Sequence, residues 1–313
     1  MTGTVIDGNK LAEELSEHVH EQLRLLKVSG ARPGLATILV GDDPAAAAYE
    51  RHVRRLAERL GCEYANEHLP DDAELADVLA VVGKLNADPR VTGILVLRPL
   101  PAGISEPLVY RTLDPYKDVE AVHAENAGLL AQGRPRFVPS TPASCFYLLD
   151  SYLRSTGREP ESFYPGKTLV VVGRSDSVGK PAASLGLQRH ATVVTCHSRT
   201  ADLGIFTRQA DILIVAAGVA TLVKGDMVRD GVIAIDVGID PVKDPETGKV
   251  RFVGDIEFES VAARAEAITP VPGGVGPITD VWLIGNTVSA AAAALRVEPR
   301  FGVSNVSGAG SGL

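Results

Sequence analysis

The chain has 313 residues, and its 31 Lys and Arg against 39 Asp and Glu give a formal net charge of −8. Hydrophobic residues make up 45% and charged residues 22%, which is typical of a packed globular protein and excludes a disordered or fibrous chain. The length fits one large or two ordinary domains, and the acidic balance disfavours nucleic acid or an anionic membrane as a partner.

The three cysteines, Cys62, Cys145 and Cys196, match no metal-binding spacing, so we expect no bound metal. An odd number of thiols favours a reducing compartment. The first residues lack the basic and apolar segments of a signal peptide, and no apolar run reaches the roughly 18 residues that a membrane helix needs. We therefore expect a cytoplasmic protein.

Strand-like and helix-like segments alternate in the first half of the chain. An apolar run predicts a buried strand over 34–40, and apolar residues at helical spacing predict a helix over 44–60 that ends before Gly61. A second helix is predicted over 73–85 and a second strand over 92–97. This pattern indicates parallel strands covered by helices.

A second series of alternating segments begins near Lys167. Strands are predicted over 168–172, 191–196, 211–215 and 232–236, with helices over 179–189 and 282–295. We place the boundary between two α/β domains near residues 141–155. The predicted division assigns 1–146 and a return helix at 279–298 to the first domain, 147–278 to the second, and the Gly/Ser-rich 299–313 to a flexible tail.

The second domain opens with a turn from its first strand into its first helix. Gly173 and Gly179 bracket this turn, with Arg174, Ser175 and Val178 between them. Free backbone N–H groups at the start of a helix favour an anion such as a phosphate. The GxGxxG fingerprint is absent, so a purely structural turn is the alternative.

The end of the next strand bears on the choice of cofactor. Sites for NAD usually place an acid there to hold the ribose 2′-hydroxyl, but Ser198 and Arg199 occupy this place. A hydroxyl and a guanidinium, with Arg174 in the preceding turn, favour a 2′-phosphate and therefore NADP. A solvated loop with incidental cations is the alternative. Ile239, at the carboxyl end of a later strand, lies where parallel sheets bind ligands.

Six sequence landmarks, in chain order, resemble a known family. They are Gly41-Asp-Asp-Pro44 with Tyr49, Ile94-Leu-Val96 with Pro99-Leu-Pro101, Lys117-Asp-Val119, Gly173-Arg-Ser175 with Val178-Gly179, Asp236-Val-Gly-Ile239, and Ile268-Thr-Pro-Val-Pro-Gly-Gly-Val-Gly-Pro277. The last is highly specific. From about residue 3 to residue 298 the chain resembles the bifunctional methylenetetrahydrofolate dehydrogenase/methenyltetrahydrofolate cyclohydrolase family, as a divergent member.

The resemblance implies an α/β protein of two domains with a cleft between them. One is an N-terminal α/β folate domain, the other a Rossmann-like parallel-sheet domain for NADP, and the protein is expected to be a homodimer. The implied reaction oxidises methylenetetrahydrofolate to methenyltetrahydrofolate by hydride transfer to NADP. Hydrolysis of the methenyl cation to formyltetrahydrofolate follows in the same family, so tetrahydrofolate derivatives are the expected substrates.

The resemblance also implies the folate-site residues. Tyr49 is expected to stack on folate and Glu120 to bind the polar pterin edge, while Pro272 and Gly273 lie in a loop that approaches folate and nicotinamide. Asp280 is a candidate active-site carboxylate, the alternative being an ordinary acid near a helix N-terminus.

The chain departs from the family pattern at six positions, one of which is Arg98, because the family's Val-Gln-Leu-Pro reads Val96-Leu97-Arg98-Pro99 here. The family Lys four residues after the Tyr is Val53, the Gln that tunes this Lys is Leu97, and Asp280 stands where Val is usual. The folate-contacting Asp is Glu120, and the Gly that follows it is Ala121. The Lys is assigned to the proton transfers of hydrolysis, and Val has no titratable proton.

The loss of Lys and Gln together fits one physical account. A buried Gln left without its Lys would cost about 1–3 kcal/mol, which its replacement by Leu97 avoids. We therefore predict an NADP-dependent methylenetetrahydrofolate dehydrogenase whose cyclohydrolase step is lost or strongly reduced. Three alternatives remain: Val53 only extends the apolar stripe of its helix, the substrate is a modified folate or specialised one-carbon donor, or the chain is a non-catalytic folate- or NADP-binding paralogue.

Overall fold

A computed structural model describes residues 3–243 and 250–294. The strands are β1 (Thr4–Val5), β2 (Gly34–Val40), β3 (Glu63–Leu69), β4 (Gly93–Val96), β5 (Thr168–Val172), β6 (Thr192–Cys196), β7 (Ile212–Val215), β8 (Ile233–Asp236), β9 (Asp240–Lys243), β10 (Val250–Val253) and β11 (Ala267–Ile268). The helices are α1 (Gly8–Val28), α2 (Pro44–Leu60), α3 (Leu75–Ala87), α4 (Glu106–Thr112), α5 (Ala124–Ala131), α6 (Ser140–Ser155), α7 (Pro160–Phe163), α8 (Gly179–Gln188), α9 (Leu203–Thr207), α10 (Phe258–Ala262) and α11 (Val275–Ala294), with a 3-10 helix at Gly225–Met227. The predicted tail at 299–313 lies outside the described residues.

The described chain forms two compact units. The small-sheet unit comprises Glu14–Ser140 and 280–294, and the large-sheet unit comprises 3–13 and Thr141–Thr279. The sequence assigns residues 1–13 to the first domain, but Thr4 of β1 pairs with Ala267 of β11 in the large sheet. A two-residue strand carries no periodicity, so the sequence does not reveal this pairing.

The small sheet has three parallel strands in the order β3-β2-β4. β2 is central and all seven of its residues are buried, which explains its continuous apolar sequence. The chain crosses from β2 to β3 on one side and then returns to β4 on the other. The carboxyl ends of β2 and β4 therefore form a topological switch point, where open α/β sheets bind ligands.

Helix α2 follows β2 directly and has capping residues at both ends. The Asp43 carboxylate accepts the N–H of Ala45 at 3.0 Å and of Ala46 at 2.8 Å, and Pro44 occupies the first turn, where no N–H is needed. Gly61 closes the helix with a φ of 87°. These signals explain why the predicted bounds 44–60 are confirmed.

The large sheet has six parallel strands in the order β1-β11-β8-β7-β5-β6. The chain passes from β5 to β6 and then returns to β7 on the other side of β5, which makes a second switch point at the carboxyl ends of β5 and β7. The two-domain α/β fold with a parallel, Rossmann-like sheet is thus confirmed. Among the described helices, none combines the length and apolar composition that a membrane crossing requires.

The predicted bounds of two helices are wrong. The helix predicted over 73–85 spans Leu75–Ala87, because the Asp77 carboxylate accepts the N–H of Glu74 at 2.9 Å and fixes the start there. The helix predicted from 282 begins at Val275. Pro277 suggested a loop, but proline is tolerated in a first turn because its missing N–H would have no partner there.

Candidate functional site

The polar residues of the small-sheet unit gather where its parallel strands end. Tyr49 lies on α2, which follows β2, and Arg98 lies two residues after β4. A parallel bridge between Ile94 and Asp118 extends this edge of the sheet, so Glu120 follows at the same end. The neighbouring carboxyl ends of the strands therefore bring Tyr49 and Glu120 close together, although they are 71 positions apart in the sequence.

Tyr49 is partly buried and its hydroxyl is hydrogen-bonded to the Asp280 carboxylate. Burial raises the pKa of Tyr49 well above its ordinary value of 10, and the nearby carboxylates of Asp280 and Glu120 raise it further. Arg98 opposes this shift. Tyr49 therefore acts as a neutral hydroxyl.

His52 is the second partner of Asp280. Its Nε2 lies 2.9 Å from Asp280 Oδ2, with 55% of the His52 side chain and 18% of the Asp280 side chain exposed. The hydrogen bond to Asp280 raises the pKa of His52, while partial burial and the neighbouring Arg55 and Arg59 oppose that shift. The carboxylate therefore bridges an aromatic hydroxyl and an imidazole.

The pKa of the Glu120 carboxyl group differs from its ordinary value. Burial raises its pKa from 4.5 to about 7, although the nearby Arg98 guanidinium lowers it. Asp118, which accepts the N–H of Val122 at 3.1 Å and of His123 at 2.8 Å, adds a further upward shift. Near neutral pH, Glu120 is therefore present in both its protonated and its ionised form.

Val53 and Leu97, which replace the family Lys and Gln, lie in the protein interior. The exposed fraction of Val53 is 0% and that of Leu97 is 2%. Val53 continues the buried stripe of α2, as the core interpretation expects. Arg54, the next residue on the helix, is engaged elsewhere, since it donates to Glu50 Oε1 at 2.7 Å.

Ala121 has a backbone conformation that favours glycine. Its φ is 54°, in the left-handed region, which costs a non-glycine residue about 1–2 kcal/mol. Its methyl group is buried in a cluster with Phe137 and Ala290. The extra methyl is thus accommodated by packing, and the chain direction after Glu120 is that of a glycine turn.

The turn after β5 is built around two glycines. A Cβ on Gly173, whose φ is 126°, would lie 2.2 Å from the Ala216 carbonyl oxygen, and one on Gly179 would lie 2.3 Å from the Gly173 carbonyl oxygen. The Ser175 hydroxyl accepts the N–H of Val178 at 3.2 Å. Such close backbone packing leaves a cradle at the start of α8 that suits a phosphate group.

The residues predicted to bind a 2′-phosphate follow the carboxyl ends of two neighbouring strands. Val172 pairs with Cys196, and the Gly173 N–H donates to the Cys196 carbonyl at 2.8 Å. Arg174 therefore leaves β5 beside the segment that leaves β6. Arg174, Ser198 and Arg199 are all exposed. A hydroxyl and two guanidinium groups at this edge fit the phosphate of NADP.

One buried carboxylate, which the sequence analysis names only as part of a family landmark, holds the neighbouring loops. Asp236, at the end of β8, accepts the N–H groups of Gly238 and Asp255 at 3.0 Å and of Ile256 at 2.9 Å. Burial raises the pKa of Asp236 to about 7. Ile239 follows this anchor and is 63% exposed. The feature of the sequence that could have identified Asp236 is an acidic residue at the end of an apolar strand.

The loop with Pro272 and Gly273 packs against the start of α1. The Gly8 N–H donates to the Gly273 carbonyl at 2.8 Å, and a Cβ on Gly8 would lie 1.8 Å from the Gly274 carbonyl oxygen. Both ends of this contact belong to the large-sheet unit. The loop is therefore fixed close to the carboxyl ends of β1 and β11.

The structure thus gathers Tyr49, Glu120 and Asp280 in the small-sheet unit and the predicted cofactor residues in the large-sheet unit. His52 and Arg98 are part of the first group although sequence reasoning gave them no role. Arg98 was visible as a substitution, because the family pattern Val-Gln-Leu-Pro places Leu at its position. For His52, the only signal in the sequence is a histidine next to Val53.

Comparisons with known proteins agree on one family. The catalytic-domain model of tetrahydrofolate dehydrogenase/cyclohydrolase matches residues 6–120, and the NAD(P)-binding-domain model of the same family matches residues 139–295. A relative named bifunctional protein FolD 3, from Rubrobacter xylanophilus, is 63% identical over 294 residues, which cover 93% of this chain and 92% of the relative.

Two solved structures are also similar over nearly the whole chain. The bifunctional FolD methylenetetrahydrofolate dehydrogenase/cyclohydrolase from Campylobacter jejuni has a TM-score of 0.86 and 40% identity, over 93% of this chain and 99% of its own. The Trypanosoma brucei methylenetetrahydrofolate dehydrogenase-cyclohydrolase, complexed with NADP cofactor and inhibitor, has a TM-score of 0.86 and 34% identity, over 95% and 100%.

The raised pKa of Glu120 predicts a pH-dependent stability. The folded protein binds this proton more tightly than the unfolded chain, so Glu120 lowers the free energy of unfolding as pH rises from 4.5 to about 7. Glu120→Gln is expected to raise that free energy by about 1–3 kcal/mol at pH 8 and to leave it unchanged near pH 4. Urea unfolding at both pH values measures the difference.

Glu14→Gln, on an exposed position of α1, is the matched control and should change stability little at either pH. Equal stabilisation of Glu120→Gln at pH 4 and pH 8 would contradict the ionisation argument.

Proposed function

The chain belongs to the tetrahydrofolate dehydrogenase/cyclohydrolase family, and from this premise we propose that it works mainly as a dehydrogenase. It oxidises methylenetetrahydrofolate to methenyltetrahydrofolate, with NADP as the hydride acceptor. The subsequent hydrolysis to formyltetrahydrofolate is lost or strongly reduced. Tyr49, Val53, Leu97 and Glu120 form the catalytic surroundings of folate in this proposal, with Asp280, Pro272 and Gly273 as further folate-binding residues.

The observation that carries the proposal is the apolar character of the Lys and Gln positions. Val53 and Leu97 are both buried, so neither position offers a donor, an acceptor or a titratable group. Hydrolysis requires that a water molecule lose a proton as it attacks the methenyl carbon, and general acid–base groups supply typically about 10²–10⁴-fold in such steps. Hydride transfer requires chiefly that two ligands be held in the right geometry.

The remaining folate residues support binding and orientation. Tyr49 offers an aromatic face and a neutral hydroxyl, and Glu120 offers a carboxyl group for the polar pterin edge. Ala121, at the position where the family pattern has glycine, has a left-handed φ of the kind that glycine adopts most easily. These features favour an ordinary folate over a modified pterin as the substrate.

NADP is the cofactor, and it supplies the hydride acceptor when it is bound. The family model of residues 139–295 is an NAD(P)-binding domain, and the T. brucei structure contains NADP. We assign the phosphate cradle to Gly173, Ser175, Val178 and Gly179, and the 2′-phosphate contacts to Arg174, Ser198 and Arg199. Exposed Ile239 offers an apolar surface next to the carboxyl end of β8.

Location and assembly complete the proposal. All three cysteines are free thiols and buried, which supports a reducing, cytoplasmic compartment. The family resemblance supports a homodimer. The proposed partners are therefore tetrahydrofolate derivatives and a second copy of this chain.

A two-wavelength assay on the purified protein tests the division between the two activities. With methylenetetrahydrofolate and NADP, we expect NADPH and methenyltetrahydrofolate to appear together and the methenyl product to accumulate, because no amine is present at the Lys position. Methenyltetrahydrofolate added alone should disappear at close to the rate in buffer. Rapid hydrolysis would instead give this chain both activities, which are the two that the name of the Campylobacter jejuni enzyme gives.

The double variant Val53→Lys with Leu97→Gln is expected to raise the hydrolysis rate by at least tenfold, since a general acid–base group contributes about 10²–10⁴-fold when correctly placed. The single variant Val53→Lys should mainly lower stability, because it buries an ammonium group without its amide partner. Stopped-flow loss of methenyltetrahydrofolate and thermal unfolding measure the two effects. A double variant that folds, binds folate and hydrolyses no faster would contradict the assigned role of these positions.

Arg199→Ala tests the cofactor assignment. Loss of a charge-assisted hydrogen bond to the 2′-phosphate should weaken NADP binding by about tenfold, or 1.4 kcal/mol, and leave NAD binding unchanged. Calorimetry measures the dissociation constants of NADP and NAD for the wild type and for Arg199→Ala.

Arg229→Ala is the matched control for Arg199→Ala. It removes the same charge, but Arg229 pairs at 2.7 Å with Asp211, which precedes β7 and therefore lies at the opposite edge of the sheet. Equal weakening of NADP and NAD by Arg199→Ala would refute a specific phosphate contact.

A further inference from the structure

A hydrogen-bonded chain of three side chains connects Tyr49, Asp280 and His52 in the small-sheet unit. The Tyr49 hydroxyl donates to the Asp280 carboxylate, and His52 Nε2 lies 2.9 Å from Asp280 Oδ2. Tyr49 and His52 are three residues apart on α2 and therefore lie on one face of that helix. Asp280 reaches both of them from α11. A titratable imidazole is thus coupled to the tyrosine that the proposed function places against folate.

Two substitutions make the charges around Tyr49 more negative than in the family pattern, and a third substitution opposes them. Val53 removes the positive charge of a Lys, and Asp280 adds a negative charge where Val is usual. Each of these substitutions makes the surroundings of Tyr49 more negative by one unit. Arg98 adds a positive charge that lowers the pKa of both Tyr49 and Glu120, so the three substitutions together make the surroundings of Tyr49 more negative by one unit.

The oxidation creates a positive charge on the folate. A C–H bond of the one-carbon bridge breaks, its electron pair leaves as a hydride to NADP, and a lone pair of a neighbouring nitrogen forms a second C–N bond. The methenyl group is therefore a cation, whereas the methylene bridge is neutral. A fixed carboxylate nearby stabilises this developing charge more strongly than it stabilises the substrate, which is the condition for catalysis.

We propose that Asp280 stabilises the methenyl cation and the transition state that leads to it, and that His52 is a positioning residue that controls the effective charge of Asp280. The inference rests on the proposed function, because it requires folate to lie against Tyr49. A neutral His52 leaves the negative charge of Asp280 uncompensated. A protonated His52 forms an ion pair with Asp280 and cancels much of that charge at the substrate.

The groups that face His52 allow a pH-dependent test. They are Asp280 on α11 and the two cations Arg55 and Arg59 on α2. Arginine stays charged throughout the accessible range, so the net charge of this group changes when His52 itself loses its proton. Glu120 also titrates near pH 7, so the contribution of His52 is the difference between the wild type and a His52 variant.

The first experiment is the pH profile of kcat for methylenetetrahydrofolate oxidation between pH 6 and 9. In the wild type, kcat is expected to rise as His52 loses its proton. His52→Gln should keep the high-pH rate and lose this step. Asp280→Asn retains an oxygen acceptor for Tyr49 but lacks the charge, so it should lose the step and run about tenfold slower at pH 8.5, equivalent to about 1.4 kcal/mol.

The second experiment measures binding without NADP. Calorimetry compares methenyltetrahydrofolate, which carries the cation, with tetrahydrofolate, which does not. Asp280→Asn should weaken binding of methenyltetrahydrofolate about tenfold more than binding of tetrahydrofolate, which corresponds to about 1.4 kcal/mol for a charge-specific contact. Asp72→Asn, an exposed acid in the same unit, is the control and should affect neither ligand.

The outcomes separate this inference from the proposed function. Charge-selective binding in a protein that makes no NADPH would support the role of Asp280 and refute the dehydrogenase proposal. Equal weakening of both ligands by Asp280→Asn would show that Asp280 only orients Tyr49, and would overturn the inference. A pH step that persists unchanged in His52→Gln would overturn the role of His52.

Discussion

Every strand of the two larger sheets runs parallel to its neighbours, and this constraint fixes where chemistry can occur. Parallel strands place all their carboxyl ends at one edge, where the chain turns into helices and exposes polar backbone. In the large-sheet unit this edge carries Gly173 and Arg199 at the ends of β5 and β6. In the small-sheet unit it carries Arg98 and Glu120. The register of a few buried apolar strands thus positions both groups.

Removal of the Lys side chain is tolerated because its surroundings changed with it. A buried polar group without a partner is costly, whereas two apolar side chains in the same space are not. Val53 and Leu97 are both buried, so the positions of the family Lys and Gln are filled by apolar side chains. The same pair of changes removes the group that would move a proton during hydrolysis. Under the proposed function, the same two substitutions serve both stability and specialisation.

The polar chemistry that remains is arranged around carboxylates. Asp280 bridges Tyr49 and His52, and Glu120 lies beside Arg98 with its pKa raised to about 7 by burial. Negative charge at this site suits a reaction that produces a cation. An ammonium group would oppose the same product by like-charge repulsion. In the proposed function, the electrostatics and the missing Lys both favour oxidation over hydrolysis.

The sequence by itself determined the α/β class, the strands at 34–40 and 168–172, the helix at 44–60 and the family. These features depend on local signals: continuous apolar runs, helical spacing with caps at both ends, and a specific Pro/Gly-rich motif. Local signals failed where Pro277 lies inside the first turn of α11 and where β1 pairs with β11.

Only the tertiary structure decided which groups act together at the folate site. Asp280 lies 228 positions from His52 in the chain, and no periodicity could reveal that its carboxylate joins that imidazole to Tyr49. The raised pKa of Glu120 likewise depends on burial and on Arg98, which are properties of the folded chain. Residue types set the available chemistry, but the distances between them arise from packing distant segments against one another.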